Sequence, residues 1–264
     1  MNTRLPVLFL SHGSPMHAIE PSAAADAWAQ AAAGLLRPRA VLMVSAHWDS
    51  GLPLLGGSAQ PETIYDFGGF PDELYRIRYA APGAPDVAQQ AQALLREAGF
   101  TAGIDGCRGL DHGAWIPMLK MYPQADVPVL QLSVQPALGA AHHHALGQAL
   151  ASLRDAGVLI VGSGHMTHNL RDAFVGMRQG DNLPVAAYAN EFRDWIDVRV
   201  RGGQIDELLQ WETQAPQARR AHPTPEHFLP LFVALGAAGA GYQVQSLSAG
   251  YDFGVLAMDA YRFT

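Results

Sequence analysis

The sequence predicts an α/β fold: a single domain over residues 1–264, with a mostly parallel central sheet, helices on both faces and a metal site at the carboxyl-end edge. Three observations carry this expectation. Short apolar runs alternate with longer helix-like segments, the pattern left by crossovers between parallel strands. The runs at 5–10 (LPVLFL), 40–45 (AVLMVS) and 158–161 (VLIV) read as buried strands rather than half-exposed ones. Each of the three passes within a few residues into a histidine, and in an open α/β sheet the crevice at the strand carboxyl ends is where ligands collect.

The elements follow in order. Strand 5–10 leads to an alanine-rich helix near 22–36, capped by Ser22 after Pro21. Strand 40–46 is followed by a Gly- and Pro-rich segment over 49–83, longer than a compact domain keeps without purpose. Its Ile64–Pro71 core (IYDFGGFP) sets aromatics beside glycines, as a binding loop over a site or an ordered surface loop with its own aromatic cluster. A helix near 85–98 has Pro85 in its first turn, and a weak strand follows at 100–104. A helix near 113–121, strand 127–134, helix 139–155 and strand 157–162 complete the central pattern, and Asn169-Leu170-Arg171 opens a further helix. Helices near 184–200 and 203–211, one opening at Pro225, and strands near 242–248 and 254–257 finish the chain.

Composition narrows the class. The formal charge of −7 excludes the basic footprint that nucleic acid or an anionic membrane requires. No apolar run reaches the roughly 20 residues that span a bilayer, and the N-terminal stretch is too short for a signal peptide. One cysteine, Cys107, rules out an internal disulfide framework and thiolate zinc clusters, and it reads as incidental. A cytoplasmic enzyme is the expectation.

Imidazole is the commonest protein ligand for divalent transition metals, so each histidine is a candidate ligand. His12 and His47 follow strands directly, and Gly13 permits a sharp turn. Each could equally satisfy loop backbone groups. His112 follows Asp111, which could be a helix cap. His165 and His168 share one loop, and His222 and His227 flank a Pro-Thr-Pro turn. His142, His143 and His144 read as a solvated helix face, and His17 has no supporting context. Gly162-Ser163-Gly164 lacks the spacing of a nucleophile elbow.

Taken together, several blocks resemble one family. Ser11-His12-Gly13-Ser14-Pro15-Met16, Ser45-Ala46-His47-Trp48, Asp66-Phe67-Gly68-Gly69-Phe70-Pro71, Asp111-His112-Gly113, Met121-Tyr122-Pro123, His168-Asn169-Leu170-Arg171 and the block from Pro223 to Pro230 occur in that order. They are similar to the signature blocks of class III extradiol ring-cleavage dioxygenases, in the 4,5-DOPA dioxygenase-like branch. The resemblance implies an α/β sandwich holding one divalent metal, Fe(II) or Zn(II), at a sheet edge. It implies metal ligands at His12, His47 and His227, with His168 a fourth ligand or a base beside the metal, and His112 as acid/base. The implied partners are O₂ and a small single-ring catechol of the DOPA or protocatechuate type. One departure is the ligand block, which offers His227 beside Glu226 where the wider class uses a glutamate. Another is His165, where the branch need not have a histidine.

Catechol ring opening needs a metal with open positions, a base for the second catechol proton and an acid for O–O cleavage, and histidines near neutrality suit both proton tasks. Trp48, Trp115, Phe67, Phe70 and Tyr65 are candidate walls for an aromatic ring, and Arg76, Arg78 and Arg171 candidate partners for a substrate carboxylate. Two alternatives use the same histidines: a zinc-dependent hydrolase working through an activated water, and a non-catalytic metal-binding relative.

Overall fold

The computed structural model describes residues 4–180, 183–247 and 250–264. Ten strands occur among them: β1 Val7–Ser11, β2 Ala40–Asp49, β3 Leu54–Gly56, β4 Gly103–Asp105, β5 Val129–Val134, β6 Val158–Gly164, β7 Val244–Ser246, β8 Tyr251–Asp252, β9 Leu256–Ala257 and β10 Ala260–Phe263. The longer helices are α1 Ala23–Ala32, α2 Pro85–Glu97, α3 His112–Met121, α4 Gly139–Leu150, α5 Leu170–Gln179 and α6 Ala187–Gly202. Three single-turn helices follow, α7 Ile205–Leu208, α8 Trp211–Gln214 and α9 Ala218–Ala221, and then α10 Leu229–Ala238.

Eight strands form one sheet in the order β4-β3-β5-β2-β6-β1-β10-β7, with β8 and β9 a separate hairpin. The centre, β5-β2-β6-β1, is parallel throughout, as expected. The chain turns antiparallel where β10 joins β1, where β7 joins β10 and where β3 joins β5.

Side chains alternate between the two faces of a strand, and here both faces are buried. Val7, Phe9, Leu42, Val44 and Ile160 face the layer of α2, α4, α6 and α10, while Leu8, Leu10, Met43 and Val161 face Trp28 of α1 and Trp115 of α3. That double burial is why the central runs read as continuously apolar.

Several sequence boundaries move. The predicted helix 203–211 resolves into α7 and α8. The helix expected to open at Pro225 begins at Leu229, with Pro230 in its first turn. Residues 224–228 form turns instead, which leaves Glu226 and His227 free of a helical ladder. The expected strand 242–248 is β7, its last residue lying outside the described residues. The expected strand 254–257 is only the short β9.

Candidate active site

Strand register brings the histidines together. Strand β6 lies between β2 and β1, with Ser11 of β1 opposite Gly164 and Ser45 of β2 opposite Ser163. The residues just beyond, His12, His47 and His165, therefore emerge at one edge. Pairing of β2 with β5 slips between Val44 and Asp49, an irregularity of the kind that re-aims side chains, and His47 sits within it. Gly13 has φ +62°, and a Cβ there would lie 2.6 Å from His17 Nε2. His227 comes from the turn before α10, and its carbonyl accepts from the His165 N–H at 2.7 Å, docking that turn on the end of β6.

Three imidazole nitrogens converge. His12 Nε2 lies 3.0 Å from His47 Nε2, which lies 3.2 Å from His227 Nε2. The wiring behind them sets the tautomers. The Ser163 hydroxyl donates to the Gly113 carbonyl, so Ser163 Oγ accepts from His12 Nδ1–H at 3.0 Å, and His12 Nε2 is left as a bare lone pair. The Glu226 carboxylate can only accept, so His227 Nδ1–H donates to it at 3.0 Å, and His227 Nε2 is bare as well. His47 Nδ1 faces Asp66 Oδ2 at 3.4 Å. Lone pairs crowded at this spacing repel unless a cation lies between them, and each rear nitrogen has an oriented oxygen partner of the kind metal-bound histidines use. The donor set fits one divalent metal.

Burial keeps these rings neutral. It is the largest cause of every shift, and proximity to other histidines adds to it: His47 falls to about 4 and His168 to about 2, while His12 and His227 fall well below the ordinary value of 6.5. Neutral imidazole is the form that binds metal.

Around this triad stand three more histidines. His168 stacks on His227, centroids 3.4 Å apart and planes within 9°, and its backbone is held by Ala221. Its ring nitrogen groups with Glu226 and His227 rather than with His12 and His47. His112 opens α3 beside His47, centroids 3.9 Å apart. Its N–H donates to Asp66 Oδ1 at 2.9 Å and its Nδ1 lies 3.0 Å from Asp66 Oδ2. Burial pushes the Asp66 carboxyl up, but His112 through its ring nitrogen, charge and N–H, together with His47, pulls it down to about 2. His165 lies 5.8 Å from His12 and 5.6 Å from His168, ring to ring.

The cavity over these groups measures about 300 Å³. The Asp66–Phe70 stretch of the long loop does line it, and Phe67 meets His112 edge-on at 5.7 Å. Of the five expected aromatic walls only Phe67 and Phe70 line the cavity. Tyr65 and Trp115 pack behind Phe67, and Trp48 lies under the Arg108 guanidinium. The other walls are Leu170, Phe174, Met177, Phe253 and Leu256, which the sequence reading missed. Arg76, Arg78 and Arg171 are exposed and do not line it.

Other expectations are corrected. Asp111 caps nothing with its side chain: fully buried, it accepts from Ser45, Arg108 and Gln131 at 2.6–2.7 Å, tying β2, β5 and α3 together beneath the site. His143 is a core residue, not solvated, bonded to Gln135 N–H and the Gly139 carbonyl. His17, which had no supporting context, pairs with Asp252 at 2.8 Å. His222 is buried, and its Nε2 lies 2.9 Å from the Met166 carbonyl oxygen.

A largely parallel sheet presenting a neutral, back-oriented triad of imidazoles, with two further histidines against it, defines a metal-dependent enzyme. Residues 6–260 match the profile described as the catalytic LigB subunit of aromatic ring-opening dioxygenase, and the chain belongs to that family. It is 43% identical to a 4,5-DOPA dioxygenase extradiol of Beta vulgaris, over 97% of this chain and 95% of the relative. It is 38% identical to a 4,5-DOPA dioxygenase extradiol of Escherichia coli K12, over 97% and 94%. A crystal structure of an uncharacterized protein from Escherichia coli K12 superposes with a TM-score of 0.83 at 33% identity, covering 99% of this chain and all of that one. The protein is thus an extradiol-type ring-cleaving oxygenase and depends on a metal. Among the described residues no helix is long and apolar enough to cross a membrane.

Proposed function

We propose that the protein opens the ring of a small single-ring catechol with O₂, using one divalent metal held by His12, His47 and His227, and that His112 and His168 handle the protons. The observation that carries this is the three-imidazole convergence with its tautomers set from behind, in a chain of the ring-opening dioxygenase family. Held by these three imidazoles, a divalent metal would supply Lewis-acid and electron-transfer chemistry to the catechol and O₂. The chain's own groups do the rest. Asp66 keeps a proton on His112 Nδ1, which leaves Nε2 as the atom that exchanges one with substrate. His168, stacked on His227 and lining the cavity, is the available base for the second catechol proton and serves beside the metal rather than as a fourth ligand. Phe67, Phe70, Phe174 and Leu256 give an apolar slot for the ring and exclude water. We assign all of residues 1–264 to this one catalytic domain and place it in the cytoplasm, on the acidic charge and the single, exposed cysteine.

One observation favours a second reading. The carboxylate of Glu226 is turned to the back of His227, so the close donor set is all-imidazole, which suits Zn(II) and a hydrolase. Nitrogen donors also bind Zn(II) more tightly than Fe(II). The deciding experiment is anaerobic stripping and Fe(II) reconstitution, then oxygen uptake with unsubstituted and substituted catechols. Stoichiometric O₂ consumption with a yellow muconic-semialdehyde-type product is expected. Oxygen-independent ester hydrolysis with no O₂ uptake on any catechol would defeat the dioxygenase reading.

A further inference from the structure

A second group of donors stands against the first. Asp66 Oδ2 lies 3.4 Å from His47 Nδ1 and 3.0 Å from His112 Nδ1. His47, Asp66 and His112 make a set of convergent ligand atoms that shares only His47 with the three-imidazole set. His47 has a nitrogen for each: Nε2 faces His12 and His227, and Nδ1 faces Asp66.

Two observations set this group apart from an ordinary hydrogen-bonded cluster. His112 is 6% exposed, yet its Nδ1, close as it is to the carboxylate, closes no aligned hydrogen bond among the described residues. A buried polar nitrogen normally has such a partner, so one that lacks it beside a carboxylate and a second imidazole points to something bound between them. The His47 contact, in turn, is longer than the roughly 2.7–3.2 Å of an N–H···O bond. Donors around Zn(II) with bonds of about 2.0–2.2 Å stand roughly 3.3–3.6 Å apart at tetrahedral angles. The 3.4 Å pair has that spacing, and the 3.0 Å pair falls somewhat short of it. Two imidazoles and a carboxylate are a donor set that divalent transition metals accept. The Asp66 side chain is 23% exposed, which opens the group to solvent.

We propose that Asp66, His112 and Nδ1 of His47 form a second, weaker divalent-cation site beside the catalytic one, and that filling it stops turnover. The inference rests on the three-imidazole reading above and adds regulation by excess metal to it. The second ion takes the places of the Nδ1 protons of His47 and His112, which leave to solvent. It binds more weakly because His47 then bridges two ions as an imidazolate, and their charges repel. A cation on His112 Nδ1 makes Nε2 a poorer base, so the proton-handling ring is idle while the first ion stays in place.

Equilibrium dialysis of the stripped protein against buffered Zn(II), up to about 1 mM free ion, counts the bound metal. Two ions per chain are expected, the second at least about tenfold weaker than the first. Asp66→Asn, which keeps the side-chain shape, should lose the weak step and keep the tight one. His112→Ala should do the same, and it decides the matter if Asp66→Asn disturbs the fold. His227→Ala should lose the tight step and keep the weak one. On the Fe(II)-loaded protein, added Zn(II) should inhibit oxygen uptake with the midpoint of the weak step and without releasing iron. Saturation at one ion per chain overturns the proposal. A weak step that survives both Asp66→Asn and His112→Ala marks an adventitious ion only and overturns it too. Loss of both steps in His112→Ala would make His112 a ligand of the first ion, and inhibition that tracks iron release would remove the regulatory role. A tight step indifferent to His227→Ala counts instead against the three-imidazole site, and absent oxygen uptake against the ring-opening reading, while the metal count still decides the second site.

Discussion

The proton on a single imidazole separates ligands from acid/base groups here. His112 lies against His47 and Asp66 but outside the set of three converging nitrogens, so His112→Ala should retain one metal per chain while turnover falls by about 10²–10⁴-fold. His12→Ala and His47→Ala should fold but lose stoichiometric metal. Metal analysis beside single-turnover kinetics checks both halves, and full metal occupancy in the latter two would overturn the ligand assignment. The histidines were legible because each sits at the end of an apolar run or in a marked block. Their partners were not. Ser163 lies in a Gly-Ser-Gly dismissed as a poor nucleophile elbow, and its hydrogen bond to His12 spans 151 residues, beyond any local pattern. Asp66 stood in a block noted for aromatics, and only folding turns its carboxylate onto His47 and His112. The arginines offered as carboxylate partners are near the site blocks in sequence, but they are exposed and do not line the cavity.

Helix α3 abuts the centre so closely that its second residue admits no side chain. A Cβ on Gly113 would lie 2.7 Å from Ser45 Oγ, 3.1 Å from His47 and 3.3 Å from His12. Alanine favours a helix over glycine by about 1 kcal/mol, so the local term alone would stabilise Gly113→Ala. The clash with Ser45 and the two ligands outweighs that gain: metal affinity should drop about 10–100-fold, as for lost support behind a ligand, with little change in circular dichroism. Unaltered metal affinity together with a higher melting temperature would refute it. The strands absent from the sequence reading, β3, β8 and β10, are two to four residues long, and β10 is held in place by pairing with β1 and β7. Helix α10 was placed four residues early because Pro225 resembles a first-turn proline. It lies instead in the turn that frees His227 to reach back across the sheet edge.

Across the whole molecule the buried imidazoles set a pH window. His47, His143 and His222 are lowered to about 4, His165 to about 3 and His168 to about 2, from 6.5, with burial the first cause in each case. Below pH 6.5 the unfolded chain binds these protons and the folded chain does not, so stability is full above 6.5 and declines as pH falls toward 4. Each such group contributes up to about 1.4 kcal/mol per pH unit across that interval. Urea midpoints of the metal-free protein should therefore decrease steadily from pH 7.5 to pH 5. A midpoint that is flat over that range would show that the rings are hydrated or protonated in the native state.

The separation of the donors along the chain ties the metal site to folding. His12 and His47 are 35 residues apart, but His47 and His227 are 180 apart. Closing the longer loop costs roughly 1.4 kcal/mol more than the shorter one, and both closures depend on β1 and β2 pairing with β6. His12 and His47 stand at the ends of strands that meet only through β6, so no two of the donors are side by side until that strand joins the sheet. The complete three-nitrogen donor set therefore exists only in a chain whose sheet has closed and whose turn before α10 has docked on β6. An unfolded or half-folded chain offers an ion scattered single imidazoles, so tight metal binding and a finished fold should appear together.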